Sequence, residues 1–337
     1  MKKTSLLVLL VFALVLGACA PAAPSEEVVT AEEAAPAEEE APAEETAEEE
    51  IYIPVIALGF QHQFWQAVKM GADQAAEEFG VTITFEGPEA ETMIDKQVDM
   101  MKIALGKNPA ALCMAAIDPE SVRADIEAAK ANGLKVVGFD SGMGDLGDTH
   151  CSTDNYAAAE LAAENTARLL NGEGKVGIVG HSQTMIDAIQ RVEGFVDYME
   201  ENYPDIEVVD IQYGDGDHLK SADIAKSMLV AFPDIAALYA SNEGAAAGTY
   251  NGIKEINKIG EILIIGFDSS KALKDAVRAG EIAGAITQDP IGVGYKSVEA
   301  AVKLINGESV EEFIDTGAYW YDASNMDEDH IAPLLYD

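Results

Sequence analysis

Asp140, Asn242, Asp268 and Gln288 stand at or just beyond the ends of short apolar runs, and they are residues that can hold a guest by hydrogen bonds. Further polar positions fall in the same way: Gln61, His62, Phe64 and Trp65 after one run, Asp118 after another, and His181, Ser182 and Gln183 after a third. Asp215 and Asp217 follow Tyr213. The set is made of amides, carboxylates and aromatics, with no Arg or Lys. Carboxylates accept from vicinal hydroxyls, and amides both donate and accept. Flat aromatic faces suit the C–H side of a pyranose ring. That chemistry fits a neutral polyol, leaves an ammonium guest physically allowed, and disfavours phosphate or sulfate.

The elements that must position these residues alternate along the chain. Apolar runs at 52–58, 81–85, 110–115, 135–139, 175–179, 207–213, 235–240, 262–267 and 283–287 read as strands. Amphipathic stretches lie between them: Trp65, Val68, Ala72, Ala75, Ala76 and Phe79 make one helical stripe,. Strand and helix in alternation mean an α/β fold with mostly parallel sheets, and so many strands favour two sheets. A repeat supports the division. Val136-Val137-Gly138-Phe139-Asp140-Ser141 recurs 128 residues later as Ile264-Ile265-Gly266-Phe267-Asp268-Ser269. In open α/β sheets ligands bind beyond the carboxyl ends of the strands, where the polar set falls.

Competing readings trim the set. Asp118, followed by Pro119, is expected to cap a helix,. His181 beside Ser182 reads as a loop contact more than as a catalytic dyad. Phe64 and Trp65 are adjacent and cannot share the core face of one helix, so Phe64 is expected to face the ligand. Asp140, Asn242, Asp268 and Gln288 keep a binding role because they recur across both halves.

Composition bounds the rest. The chain has 337 residues, with 60 Asp+Glu against 21 Lys+Arg. Residues 20–50 carry 12 Glu and no base, so without them and the two leader lysines the remainder keeps 48 acids and 19 bases, a net of −29. Such a surface repels phosphate backbones, which excludes nucleic acid. Lys2 and Lys3 precede an apolar run of 11 residues, 6–16, then Gly17-Ala18-Cys19. The run is too short for a span of ~20 residues and reads as a signal peptide over 1–18. Cys19 after Leu-Gly-Ala resembles a bacterial lipobox, which implies lipidation there and an acidic Ala/Pro/Glu tether over 19–50,. The body would then be exported and held at the outer face of the cytoplasmic membrane or in the periplasm.

Other motifs fail their structural context. Gly172-x-Gly174-x-x-Gly177 enters a strand instead of leaving one, so it is no dinucleotide fingerprint,. The histidines and cysteines lack zinc spacing, and the acids at 322–329 lack the glycine and terminal glutamate of a calcium loop,. Neither a metal nor a cofactor is expected. A disulfide between Cys113 and Cys151 is an option in an exported protein.

Eight motifs in order carry a family resemblance over about 52–306: Phe64-Trp65 with Lys69-Met70-Gly71, Gly138-Phe139-Asp140, Ser152-Thr153-Asp154-Asn155, Val192-Glu193-Gly194-Phe195, Pro233-Asp234-Ile235, Ala240-Ser241-Asn242-Glu243, Gly266-Phe267-Asp268 and Thr287-Gln288-Asp289-Pro290. Together they resemble the periplasmic binding proteins of the ribose-binding type, receptors of monosaccharide ABC importers. The resemblance implies two Rossmann-like lobes with parallel sheets, joined by a three-segment hinge that closes on a sugar. The first lobe would take 51–153 and 288–316, the second 154–287 and 317–337 with the tail. Residues 315–337 are expected to pack across the hinge.

The implied ligand set is Gln61, His62, Phe64, Trp65, Asp140, His181, Asp217, Asn242, Asp268 and Gln288. Three departures disfavour ribose itself. Ser141 stands where the family often has Arg, and His62-Gln63 replaces Asn-Pro. Ile189 also occupies a usual Arg position, with Arg191 expected outside the site. The expected partners are a monosaccharide or polyol and an ABC permease in the membrane, with the protein a monomer. A sensory receptor signalling to a membrane partner remains the main alternative, with a glycoside-acting enzyme behind it.

Overall fold

The computed structural model describes residues 51–336. The expected signal peptide, the lipidation at Cys19 and the acidic tether lie outside the described residues.

The chain opens with β1 (Tyr52–Ile56), α1 (Phe64–Phe79), β2 (Thr82–Glu86), α2 (Ile94–Leu105), β3 (Ala111–Met114), α3 (Pro119–Ala131), β4 (Lys135–Phe139) and β5 (Thr149–Ser152). It crosses over into α4 (Asn155–Leu169), β6 (Gly174–Gly180), α5 (Ile186–Asn202), β7 (Ile206–Tyr213), α6 (His218–Ala231), β8 (Ala237–Ala240), α7 (Glu243–Glu255), β9 (Leu263–Phe267), α8 (Lys271–Arg278) and β10 (Gly284–Gln288). It returns through α9 (Pro290–Ile305) and β11 (Phe313–Asp315), then crosses again to β12 (Ala318–Tyr321).

Two six-stranded sheets result, in the orders β11-β5-β4-β3-β1-β2 and β12-β10-β9-β8-β6-β7. Every pairing is parallel except β10 with β12, where Gln288 faces Ala318. The central strands β3 and β8 are buried along their whole length, as strands covered by helices on both faces must be. Each apolar run expected to be a strand is one, within a residue or two at its ends. The three missed strands are β5, β11 and β12, all of three or four residues. Thr149-His150-Cys151-Ser152 has no apolar run to betray it, and pairing with β4 and β11 makes it a strand.

Crossing does not loosen the lobes. After β10 the chain returns to the first sheet because α9 packs on α1 without side chains between them at two points. A Cβ on Gly71 would lie 1.9 Å from the Ile291 carbonyl oxygen, and one on Gly294 would lie 1.9 Å from that of Val68. Only glycine permits so close an approach.

Phe64 and Trp65 are both buried, at 5% and 2% exposure. Phe64, expected to face the ligand because it cannot share the core face with Trp65, is buried even so, with the Tyr336 ring at 6.1 Å. The tail touches both lobes. Its β12 extends the second sheet and Met326 and Ile331 enter that lobe's core, while Tyr336 reaches the first lobe's cluster. Cys113 and Cys151 are buried free thiols; burial raises both, Cys151 to about 12. Among the described residues no helix is long and apolar enough to cross a membrane.

Candidate functional site

Strand ends from both sheets converge on one cavity, lined by Leu58, His62, Phe64, Trp65 and Asp140 from the first lobe and by His181, Asn242, Asp268 and Gln288 from the second. Its walls leave about 310 Å³ between atoms, yet the centre of a water-sized sphere has only about 20 Å³ to move in. The lobes are therefore closed on each other, and a guest must part them to enter.

Eight of the ten residues expected from sequence line this cavity; Gln61 and Asp217 do not. Asp217 is the N-cap of α6, accepting from Lys220 N at 2.8 Å. Gln61 sits behind His62 and orients it. Its Oε1 accepts from Glu91 N at 2.9 Å, so its Nε2 must be the donor to His62 Nε2 at 3.1 Å. The imidazole proton is thereby placed on Nδ1. Burial depresses His62 to about 4, which keeps it neutral.

The first-lobe Asp140 caps no helix. Burial lifts its carboxyl well above the usual range and Asp187 adds to the lift, while Arg191 opposes it. Asp268 is more tightly tied. Its Oδ1 accepts from Gln288 Nε2 at 2.8 Å and its Oδ2 from Glu243 N at 2.8 Å. Asn242 caps α7 through Oδ1, with Ala245 N at 2.8 Å, which leaves its NH₂ group uncommitted by the cap. The first turn of α7 comes close to His62 because residue 244 is glycine: a Cβ there would lie 2.7 Å from His62 Cε1.

The sequence reading missed four charged residues in the cavity: Glu91, Asp187, Arg191 and Glu243. Arg191 corrects it outright, since it is 2% exposed and lies over the Phe267 ring at 3.8 Å. Its Nε donates to Asn155 Oδ1 at 2.8 Å and one terminal nitrogen to the Ser241 carbonyl at 2.9 Å. The reason is helical phase. Asp187 and Arg191, one turn apart on α5, share the buried face with Phe195, whereas Ile189 is 37% exposed. That i, i+4 acid–base pair on an apolar stripe was the available signal. Burial opposes the Asp187 charge, but His181 at 3.0 Å and Arg191 at 3.7 Å overcome it and hold the carboxyl below its usual range. His181 is thus held by Asp187 and, through Nδ1, by Ser241 Oγ at 2.8 Å.

Glu91 and Glu243 are carboxyls that burial pushes up to about 7. Glu91 accepts the Trp65 indole N–H at 2.8 Å. Glu243 spans the cleft, taking the backbone N–H groups of Gln63 and Phe64 at 3.2 Å each.

Three buried atoms of the cavity-lining residues have no hydrogen-bond partner among the described residues and belong to groups whose other ends are fixed: His62 Nδ1, Gln288 Oε1 and Asp187 Oδ1. The first carries a proton and the other two are bare acceptors. Leaving any of them unmet costs about 1–3 kcal/mol.

A family model described as the periplasmic binding protein domain matches residues 53–309. A ribose import binding protein of Haemophilus influenzae is 29% identical over 277 residues, spanning 79% of this chain and 88% of that protein. An ABC transporter solute-binding protein of Agrobacterium vitis, solved with bound D-fucose, superposes with a TM-score of 0.81 at 31% identity, covering 85% of this chain and 100% of that one. A carbohydrate transporter solute-binding protein of Agrobacterium radiobacter, in complex with D-arabinose, has the same TM-score at 29% identity, covering 86% and 100%.

Proposed function

Since the chain belongs to the periplasmic binding protein domain family, and within it to the ribose type, we propose that it captures a neutral monosaccharide or polyol between its lobes and delivers it to an ABC permease. The observation that carries this reading is the set of unmet atoms, His62 Nδ1–H against Gln288 Oε1 and Asp187 Oδ1. The first wants an acceptor and the others a donor, and a hydroxyl is both. Phe64 and Trp65 in the same wall supply apolar faces for a sugar ring,.

The mechanism is closure. Each lobe contributes part of the shell, so a guest makes more contacts in the closed form and draws the population towards it. Delivery follows because the closed form alone presents both lobes to a permease in fixed relation. We read the protein as a binder and not as an enzyme: its relatives are sugar-binding transport proteins, and both Asp268 oxygens are already engaged by Gln288 and Glu243. We place the body outside the cytoplasm, anchored through a lipid on Cys19, as a monomer.

A thermal-shift screen over pentoses, hexoses and acyclic polyols tests the reading. A rise in melting temperature with one or a few of these is expected. A flat response across the panel, with a shift for an amino acid or a polyamine instead, would refute it.

A further inference from the structure

The tail is anchored in the second lobe and leaves it at Tyr336. Met326 and Ile331 lie in the second lobe's core. The Leu334 carbonyl accepts from Thr287 Oγ1 at 3.1 Å and from Ser269 Oγ at 3.4 Å, and the Leu335 carbonyl accepts from Lys274 Nζ at 3.2 Å. The next side chain, Tyr336, is 8% exposed and belongs to the first lobe's core cluster. Its ring meets that of Phe64 at 6.1 Å and 70°, an edge-to-face pair. Its hydroxyl donates to Glu243 Oε2 at 3.5 Å and accepts from Ser269 N at 3.4 Å. Both bonds are long, so the ring carries more of the contact than the hydroxyl does.

We propose that Tyr336 is a positioning residue of the binding site: it seats the Phe64 ring in the cavity wall and clasps the two lobes together once they shut. The inference deepens the reading of sugar capture by closure and rests on it. Phe64 is the first residue of α1 and lines the cavity. The second lobe grips it twice, by its backbone N–H through Glu243 Oε2 at 3.2 Å and by its ring through Tyr336. The two gripping groups also touch each other. From its own lobe Phe64 has the Trp65 ring, edge-on at 5.0 Å. One of the two aromatic contacts that fix the Phe64 ring is therefore supplied by the tail. Parting the lobes would return both the Phe64 and Tyr336 rings to water, which favours the shut form. A guest that stacks on Phe64 binds a ring whose place depends on closure, so binding and closure are coupled through it. The family model's match ends at residue 309, and the segment that supplies Tyr336 follows it.

The test uses Tyr336→Ala, Tyr336→Phe and a control for lost stability alone, Met199→Ala, which cuts a buried side chain from the second lobe's core near the end of α5. Stopped-flow tryptophan fluorescence reads association and dissociation of the monosaccharide or polyol that gives the parent chain its largest thermal shift. Tyr336→Ala should release it about tenfold faster, from the lost aromatic contact. Its association rate should stay within about twofold of the parent, since a clasp acts after the guest has entered. Tyr336→Phe keeps the ring and should stay within about threefold of the parent dissociation rate. Met199→Ala should lower the melting temperature and leave both rates unchanged. An unaltered dissociation rate in Tyr336→Ala overturns the clasp and leaves sugar capture standing, and so does an equal acceleration in Met199→Ala. Silence from every sugar and polyol on the parent chain overturns the capture reading and this role of Tyr336 together.

Discussion

Asp140 and Asp268, 128 residues apart in sequence, each follow the last residue of their strand in the same left-handed backbone conformation, with φ of 54° and 76°. The surroundings repeat as well. Asp140 N donates to the Cys151 carbonyl at 3.0 Å and Asp268 N to that of Ile286 at 2.6 Å. The Asp140 carbonyl accepts from Ser152 Oγ at 2.7 Å, and the Asp268 carbonyl from the Tyr321 hydroxyl at 2.8 Å. In each lobe the neighbouring strands clamp a strained residue so that its carboxyl enters the cleft. Such strain persists only where its surroundings enforce it, and it gathers at binding sites.

The strain gives the first prediction. At either position alanine keeps the conformational cost and glycine does not. Asp140→Gly should be more stable than Asp140→Ala by about 1 kcal/mol, and the same order should hold for Asp268. Urea unfolding of the four variants measures this; alanine equal to or above glycine at both sites would show that the left-handed turns are not imposed.

Asp268→Ala also removes the acceptor for both Gln288 Nε2 and Glu243 N. Ligand affinity should fall by about 2 kcal/mol or more, since buried donors are stranded. Calorimetry with whichever monosaccharide gives the largest thermal shift checks it, and an unchanged dissociation constant would remove Asp268 from the site.

How far the chain could be read without coordinates follows from what kind of signal each residue leaves. The twin lobes were legible because Gly-Phe-Asp-Ser recurs, and the strand-end rule then placed Asp140, Asn242, Asp268 and Gln288 at one cavity. The rule fails where a residue reaches the cleft from within a helix. Arg191 and Asp187 do so from α5, and Glu243 from the first turn of α7, where it is adjacent to the chosen Asn242. Glu91 lies in a loop beyond β2, and only tertiary folding carries it to the Trp65 indole. Asp217 misled for the opposite reason, a strand-end acid spent on capping the next helix.

Arg191 supplies a third prediction. Its guanidinium satisfies Asn155 and the Ser241 carbonyl and faces Asp187, all without solvent. Arg191→Met should cost about 3–5 kcal/mol, because it takes one of two charge partners from the buried Asp187, leaving it His181 alone, and strands the Asn155 oxygen and the Ser241 carbonyl,. Asp187→Asn in the same chain should restore part of that loss, which a double-mutant cycle in urea would reveal. Strict additivity of the two substitutions would mean that the pair is not coupled.

Helix ends across the cleft are capped reciprocally. Neither Gln63 before α1 nor Ser270 before α8 caps its own helix with its side chain. Glu243 of the second lobe accepts the first N–H groups of α1, and Gln63 of the first lobe accepts from Lys271 N, opening α8, at 3.0 Å. Unmet N–H groups at a helix start carry partial positive charge and favour such acceptors. Each lobe thus completes the other only when they are shut. Gln63→Ala should speed ligand dissociation about fivefold or more, taking about 1 kcal/mol per lost cap, with little change in the thermal stability of the unliganded chain. Stopped-flow tryptophan fluorescence reads the rate, and an unaltered rate would deny the caps any part in holding the lobes closed.

Glu243 makes that closure depend on pH. Its carboxyl rises from 4.5 to about 7 on burial, first by desolvation and then by the nearby Asp268 charge. A group whose folded value is raised binds more protons folded than unfolded between those two pH values. Its contribution is therefore fully present below about pH 4.5 and is lost as the pH climbs through 7. Glu91 works in the same direction. His62, lowered from 6.5 to about 4, works against them: its contribution is complete above pH 6.5 and declines as the pH falls towards 4. Glu243→Gln deletes one of the acid-favouring carboxyls of the cavity, leaving Glu91 and Asp140, and keeps His62 in place. The melting temperature of the variant, relative to its own value at pH 7.5, should then rise less on acidification to pH 5 than that of the parent chain, or fall more. Parallel profiles for the two proteins over that range would mean that Glu243 does not titrate between them.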